Sequence, residues 1–384
     1  MAHDVFSDSA LLHIPTKRAA WSDRAALLMA GMSKIAYKKF ELIPGGDKKY
    51  DQSQLNEMLE RMLEPGGGTS SAASDGEEPE DQRPEPTKEA LELQEDLRKA
   101  GFVLAGLFND NGTNTQAFLA AADSNLPADK RPFGDLDVSV LSFRGTEKGV
   151  NDWITNLNIL QKETPIPGTK HEALIHSGFQ RAFNSVKLAI LSKLTPLTDG
   201  GSTLYLTGHS LGGALALIAT RDIARGSHGS CYTFGSPRVG RFGFADYIKT
   251  PIYRVVNAND LVPRIPPAYI PTILMYVVQI LNVPFAGLLK RLLRKIEKYV
   301  HHGDMRFLRR SNPPNYEDLE VRSNPSVIYR FFWYWPALFA NKKGPIDAPL
   351  GDHSIELYYN KLAAYATARI AAEFEDDTPS DDTE

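Results

Sequence analysis

Five residues, Gly208-His209-Ser210-Leu211-Gly212, stand between the apolar run TLYLTG and the helix-forming run LGGALALIATRDI, and they constrain this chain more than any other feature. A strand that gives way at once to a helix must turn sharply. Glycines on either side of the serine remove the Cβ atoms that would collide there, and the serine hydroxyl is left over the carboxyl edge of the sheet. The runs VSVLSF (138–143), TLYLTG (203–208), SCYTFG (230–235) and PIYRVV (251–256) are short, apolar and separated by helical stretches. Buried parallel strands joined by crossover helices have this pattern. The chain therefore reads as α/β, with a mostly parallel central sheet flanked by helices.

Around that centre the chain of 384 residues divides by composition. Residues 1–64 read as a helical amino-terminal extension packed on the core: Leu28, Met32, Ile35 and Ala36 recur at helical spacing behind a capping Ser22, and a second helix is predicted over about 52–63. Residues 65–88 hold no large apolar side chain, so burial cannot offset the entropy of ordering them, and a disordered acidic loop is expected. A helix over 88–100, a strand FVLAGLF and a hairpin centred on Asn111-Gly112 should follow. The main domain is placed at 89–372, with a helical insertion at about 268–345, and 373–384 reads as an acidic disordered tail.

Charge and cysteine usage exclude several classes. Lys and Arg number 43 against 47 Asp and Glu, which gives no support to a nucleic-acid binder. Eight acidic and two basic residues lie from Glu64 to Glu89, and seven acidic and no basic ones from Glu373 to Glu384, so the remaining chain is net basic. One cysteine, Cys231, permits neither an intrachain disulfide nor a cysteine-cluster metal site. The start, MAHDVFSDSALLHIP, lacks a basic end and an apolar centre. A cytoplasmic setting, with membrane association or signal-independent export as alternatives, is expected.

The chemistry follows from the serine. Ser210 at a helix start faces backbone N–H groups suited to a developing oxyanion, and is the candidate nucleophile. It needs a base, and the base a carboxylate to hold its tautomer. In α/β-hydrolases these follow the nucleophile in the order acid, then histidine. Downstream stand His228, His301, His302 and His353; Asp260 lies just beyond PIYRVV, and His353 just before the last amphipathic helix. Ser210, Asp260 and His353 are the candidate triad. His209 reads as a packed strand-end residue.

Seven motifs in order then carry a family resemblance: LSFRGTE (141–147), DWITN (152–156), IHSGF (175–179), TGHSLGGALA (207–216), YTFGSPRVG (232–240), NANDLVPRIPP (257–267) and GDHSIELY (351–358). Over roughly residues 100–370 the chain resembles the class 3 lipases, the fungal-lipase-like branch of the α/β-hydrolases. The resemblance implies Ser210 as nucleophile, Asp260 as orienting acid and His353 as base. It also implies an oxyanion hole from Thr146 and the Leu211 N–H, a lid over EKGVNDWITNLN with Trp153 as its apolar contact, and a structural His176. Thr146 equally suits a turn residue capping a helix, and Trp153 a packing residue. Neither a metal nor an organic cofactor is called for. The expected reaction is hydrolysis of lipid carboxylic esters through an acyl-enzyme; phospholipase A, a soluble carboxylesterase and a non-catalytic lipid-binding module are the alternatives.

One further stretch concerns partners. Residues 265–289 carry no charge, but four prolines argue against one continuous helix, and a basic amphipathic stripe through Lys290, Arg291, Arg294, Lys295 and Lys298 follows. The stretch 265–300 fits a second lid, a dock on an anionic membrane or lipid-droplet surface, or an amphipathic cover on the core.

Overall fold

A computed structural model describes residues 5–14, 20–43, 48–64, 83–146, 161–165, 172–258, 260–266, 299–311, 313, 315–330 and 351–376. The expected acidic loop as far as residue 82, the lid segment with Trp153, and 267–298 with the basic stripe lie outside them.

Eight strands form the central sheet in the order β1-β2-β3-β6-β7-β8-β9-β10: β1 Phe102–Asp110, β2 Thr115–Ala122, β3 Val138–Phe143, β6 Thr203–His209, β7 Cys231–Phe234, β8 Ile252–Asn257, β9 Asp304–Leu308 and β10 Val321–Ser323. Strands β3, β6, β7, β8 and β9 run parallel, while β1, β2 and β10 add antiparallel edges. A separate antiparallel pair is formed by β4 Gln161–Pro165 and β5 Glu172–His176. The parallel centre is dry on both faces: every residue of β3, β7 and β8 is buried. This is why those strands read as unbroken apolar runs and not as alternating ones.

Each face has its own cover. Helices α5 Ser177–Asp199 and α6 Leu211–Ile223 pack on Leu141, Phe143, Leu204, Leu206 and Cys231, so the lone cysteine is sealed within the sheet, and burial pushes its thiol up to about 12. Helices α2 Asp23–Ile35, α3 Gln52–Leu63, α4 Lys88–Lys99 and α7 Ile355–Asp376 share the opposite core with Val138, Val140, Tyr205 and Phe234. A one-turn α1, Ser9–Leu12, precedes them. Ser22 caps α2 by accepting from the Ala25 N–H, and Asp51 with Gln54 closes a capping box on α3. Helix α2 is buried along most of its length and rests on the sheet through short hydroxyl bonds: Ser33 with Thr207 at 2.9 Å, and Ser142 with the Met32 carbonyl at 3.0 Å. The amino-terminal helices thus form one wall of the core.

Three expectations are corrected. The stretch expected as a helical insertion (268–345) contains β9 and β10, and β9 pairs in parallel with β8. DMRFL and VRS are too short to show a period. The expected hairpin is present, with its centre shifted: the turn spans residues 111–114, and Asn114, not Gly112, takes the left-handed conformation at φ 54°. Helix α7 runs to Asp376, past Glu373, where the tail was expected to begin.

Candidate active site

Strand register brings the chemistry to one edge. Phe143 pairs with Gly208, His209 with Phe234, and Phe234 with Val255, so the carboxyl ends of β3, β6, β7 and β8 lie side by side. The residues that follow those ends are Arg144-Gly145-Thr146, Ser210, Gly235 and, three beyond Asn257, Asp260.

Ser210 sits at φ 57° and ψ −126°, a conformation rarely adopted by a side-chain-bearing residue. Its N–H donates to the Phe234 carbonyl at 2.9 Å, which ties the turn to β7. The flanking glycines are required by close approach: a Cβ on Gly208 would lie 2.3 Å from the Gly212 backbone, and one on Gly212 would lie 2.2 Å from the Phe143 carbonyl oxygen. Leu211 opens α6, so its N–H has no intrahelical acceptor and points with the positive helix end at the serine's side of the turn.

Asp260 and His353 meet at full burial. His353 Nδ1 donates to Asp260 Oδ2 at 2.9 Å and lies 3.0 Å from Oδ1. The carboxylate also accepts from the Tyr358 hydroxyl at 2.6 Å and the Val262 N–H at 2.9 Å. The same Tyr358 oxygen accepts from the Asn257 N–H at 2.9 Å, and with burial pushing its pKa well up the phenol remains protonated. Gly235, at φ 58°, leaves room for the pair: a Cβ there would stand 2.6 Å from Asp260 Oδ2 and 2.9 Å from His353 Nδ1. His353 Nε2 is buried without a hydrogen-bond partner among the described residues.

The segment carrying Thr146 is held from the amino-terminal wall. Glu41 clasps the Arg144 guanidinium with two bonds, at 2.6 and 3.0 Å, both side chains almost fully buried. Burial pushes the Glu41 carboxyl up, but the Arg144 bonds and charge prevail and leave it below its ordinary value. Gly145 is pressed against Tyr37, whose hydroxyl would be 2.1 Å from a Cβ at that position. Thr146 is half-buried, and its Oγ1 has no hydrogen-bond partner among the described residues.

His209 packs at the strand end, as expected, but it also touches the site. Its Nδ1 lies 2.8 Å from the Tyr37 hydroxyl, and its Nε2 lies 2.6 Å from the main-chain oxygen of His353. His176 caps α5 by accepting from the Phe179 N–H. His301 turns its Nε2 to the Pro263 carbonyl and His302 lies against Phe244, neither of them paired with Asp260. Tyr37, Glu41 and Tyr358 escaped the sequence reading. Tyr358 had a signal, being placed one turn into the helix after His353, whereas Tyr37 and Glu41 reach the site only through tertiary packing.

The assembled parts are a strained serine at a helix start, an imidazole with one nitrogen held by a carboxylate and the other unpaired, and an orphaned threonine hydroxyl on the adjacent strand end. Such parts suit activation of a hydroxyl nucleophile and reception of an oxyanion.

Residues 140–270 match the family model "Lipase (class 3)". The chain is 37% identical over 134 residues to the secreted mono- and diacylglycerol lipase 1 of Fusarium solani, covering 33% of this chain and 39% of that protein. It is 32% identical over 148 residues to a lipase of Rhizomucor miehei (35% and 39%), and 30% identical over 181 residues to phospholipase A1-II 1 of Oryza sativa subsp. indica (40% and 45%). It therefore spans less than half the length of these relatives. A solved Rhizomucor miehei triacylglyceride lipase is 20% identical over 68% of this chain and 84% of its own, with a TM-score of 0.45.

Proposed function

From the match of residues 140–270 to the class 3 lipase family model, we propose that the chain is a serine hydrolase of lipid carboxylic esters, acting through Ser210, Asp260 and His353. The observation that carries this reading is His353, with Nδ1 fixed by a buried carboxylate at 2.9 Å and Nε2 left unpaired. Ser210 Oγ attacks the acyl carbon and its proton passes to His353 Nε2; Asp260 stabilises the resulting imidazolium. The carbonyl oxygen becomes an oxyanion received by the Leu211 N–H and by Thr146. The C–O bond to the alcohol breaks and His353 returns the proton to the leaving oxygen. Water then gives a proton to His353 and attacks the acyl-serine; as the acyl–Oγ bond breaks, His353 passes that proton to Ser210 Oγ, and the fatty acid leaves.

Relatives named lipases, one of them a mono- and diacylglycerol lipase, support acylglycerols as the substrate, with aggregated long-chain esters preferred over dissolved ones. A phospholipase A is the second reading, favoured by the rice relative and by the basic stripe at 290–298, which suits an anionic membrane or lipid-droplet surface.

The test is a series of short-to-long acyl esters assayed below and above the concentration at which they aggregate, with a phospholipid panel and Ser210→Ala. A rate that jumps at the aggregation point and falls about 10⁴-fold or more in Ser210→Ala is expected. A smooth preference for short dissolved esters would make the chain a soluble esterase. Hydrolysis untouched by Ser210→Ala would overturn the triad, and no Ser210-dependent rate at all would favour a lipid-binding module.

A further inference from the structure

The reaction leaves one buried titratable group beside the nucleophile without a role. His209 is 4% exposed, its ring lies 4.5 Å from the His353 ring, and its two nitrogens face Tyr37 and the His353 carbonyl oxygen. A carbonyl can only accept, so Nε2 must carry the proton. Nδ1 is then the lone-pair nitrogen, and the Tyr37 hydroxyl must donate to it. Burial, reinforced by the neighbouring His353, holds the His209 pKa well below its ordinary value, so the ring stays neutral and this tautomer persists.

The consequence concerns the main chain of the base. His353 sits at the start of the loop-to-helix step into α7, and Asp260 holds its side chain at one nitrogen. The 2.6 Å bond from His209 holds its backbone. Two attachments on opposite sides of one residue fix where Nε2 points, and proton transfer demands an alignment within about 0.5 Å. Without the Tyr37 hydroxyl, Nδ1 would be buried and unpaired. The Nε2–H would remain, because the His353 carbonyl still demands it, but the ring would have lost one of the two bonds that set its orientation.

We propose that Tyr37 and His209 are positioning residues for the base: the His353 carbonyl fixes the His209 tautomer, the Tyr37 hydroxyl donates to the remaining lone pair and holds the ring, and the Nε2–H anchors the main chain of His353. The inference rests on the hydrolase reading above. Through it the turn that follows α2, and not only the strand ends, sets the geometry of the reacting groups.

The experiment compares wild type, Tyr37→Phe, His209→Gln and His209→Leu. The rate is expressed per serine titrated with a fluorophosphonate, and ¹⁵N-histidine spectra report the His209 ring. Counting reactive serines removes any loss from unfolded protein, which a merely structural role would produce. Expected are a kcat per titrated site about tenfold lower in Tyr37→Phe with KM within about twofold, and a His209 protonated on Nε2 in wild type whose Nδ1 resonance moves in Tyr37→Phe as its donor is lost, the tautomer being kept. His209→Gln, whose amide can still donate to the His353 oxygen, should retain more kcat than His209→Leu. Unchanged kcat per site in Tyr37→Phe, equal loss in the Gln and Leu variants, or a wild-type His209 protonated on Nδ1 would each overturn the positioning role while leaving the hydrolase reading intact. A wild type without Ser210-dependent hydrolysis would instead overturn that reading and this one with it.

Discussion

Asp260 accepts from three donors, His353, Val262 and Tyr358, and the Tyr358 bond is the shortest at 2.6 Å. Removing that phenol hydroxyl takes a donor from a carboxylate that cannot reach water and leaves the Asn257 N–H without its acceptor. Tyr358→Phe should lower kcat by about tenfold and stability by about 1–3 kcal/mol, read by steady-state kinetics and a urea titration. Gly235→Ala is a harsher change. It combines a left-handed backbone with a Cβ 2.6 Å from the same carboxylate, so one of the reacting pair must move. A displacement near 1 Å costs about 100-fold in rate, and kinetics at equal titrated serine would show it. Ser210, Asp260 and His353 were visible in the sequence because each follows a recognisable strand end or precedes a helix. Tyr37 was not, since it meets His209 across 172 positions of chain and nothing local marks the partnership.

Among the elements, β3, β6, β7 and β8 were legible because burial on both faces leaves mostly apolar residues, while β9 and β10 were hidden by their shortness. The α2 helix was legible as a helix but not as a wall of the core. Its periodic residues show that one side is buried, not that the sheet and α7 enclose it. The pairing of Glu41 with Arg144 follows from that enclosure, linking the segment after α2 to the end of β3. Glu41→Gln removes the opposite charge from a guanidinium that is 3% exposed, a loss of about 3–5 kcal/mol. Denaturant melts of Glu41→Gln, Arg144→Met and the double variant should show the double variant recovering part of that loss, because no lone charge remains buried.

At the scale of the whole molecule, buried titratable groups set the pH range of stability. Burial pulls the His176 pKa from 6.5 down to about 4, and moves His302 the same way. Between these values the unfolded chain binds the proton and the folded one does not, so stability is full above pH 6.5 and is lost as pH falls through 4. For His176, 2% exposed, the loss is at most about 3 kcal/mol. Asn at 176 can cap α5 without titrating, so His176→Asn should flatten the slope of urea midpoints over this interval. Lys361 is held by Asn257 and the Arg309 carbonyl, and its pKa falls from 10.5 to about 8, so stability gains as pH rises between those values. Tyr205, pushed from 10.0 to about 12, reverses the trend above 10. Maximum stability should therefore fall between about pH 8 and 10, as a series of thermal melts would show.

Cys231, sealed at 0% exposure at the first position of β7, carries one more consequence. It is the chain's single thiol, and it lies two strand positions before Thr233, which pairs with the Gly208 that begins the serine turn. A thiol-specific dye can reach it only when the centre of the sheet parts, so at saturating dye the labelling rate becomes a clock for that opening. Because the chain holds no second thiol to confuse the signal, any variant or lipid that loosens the platform beneath Ser210 would be timed without a probe having to be engineered in.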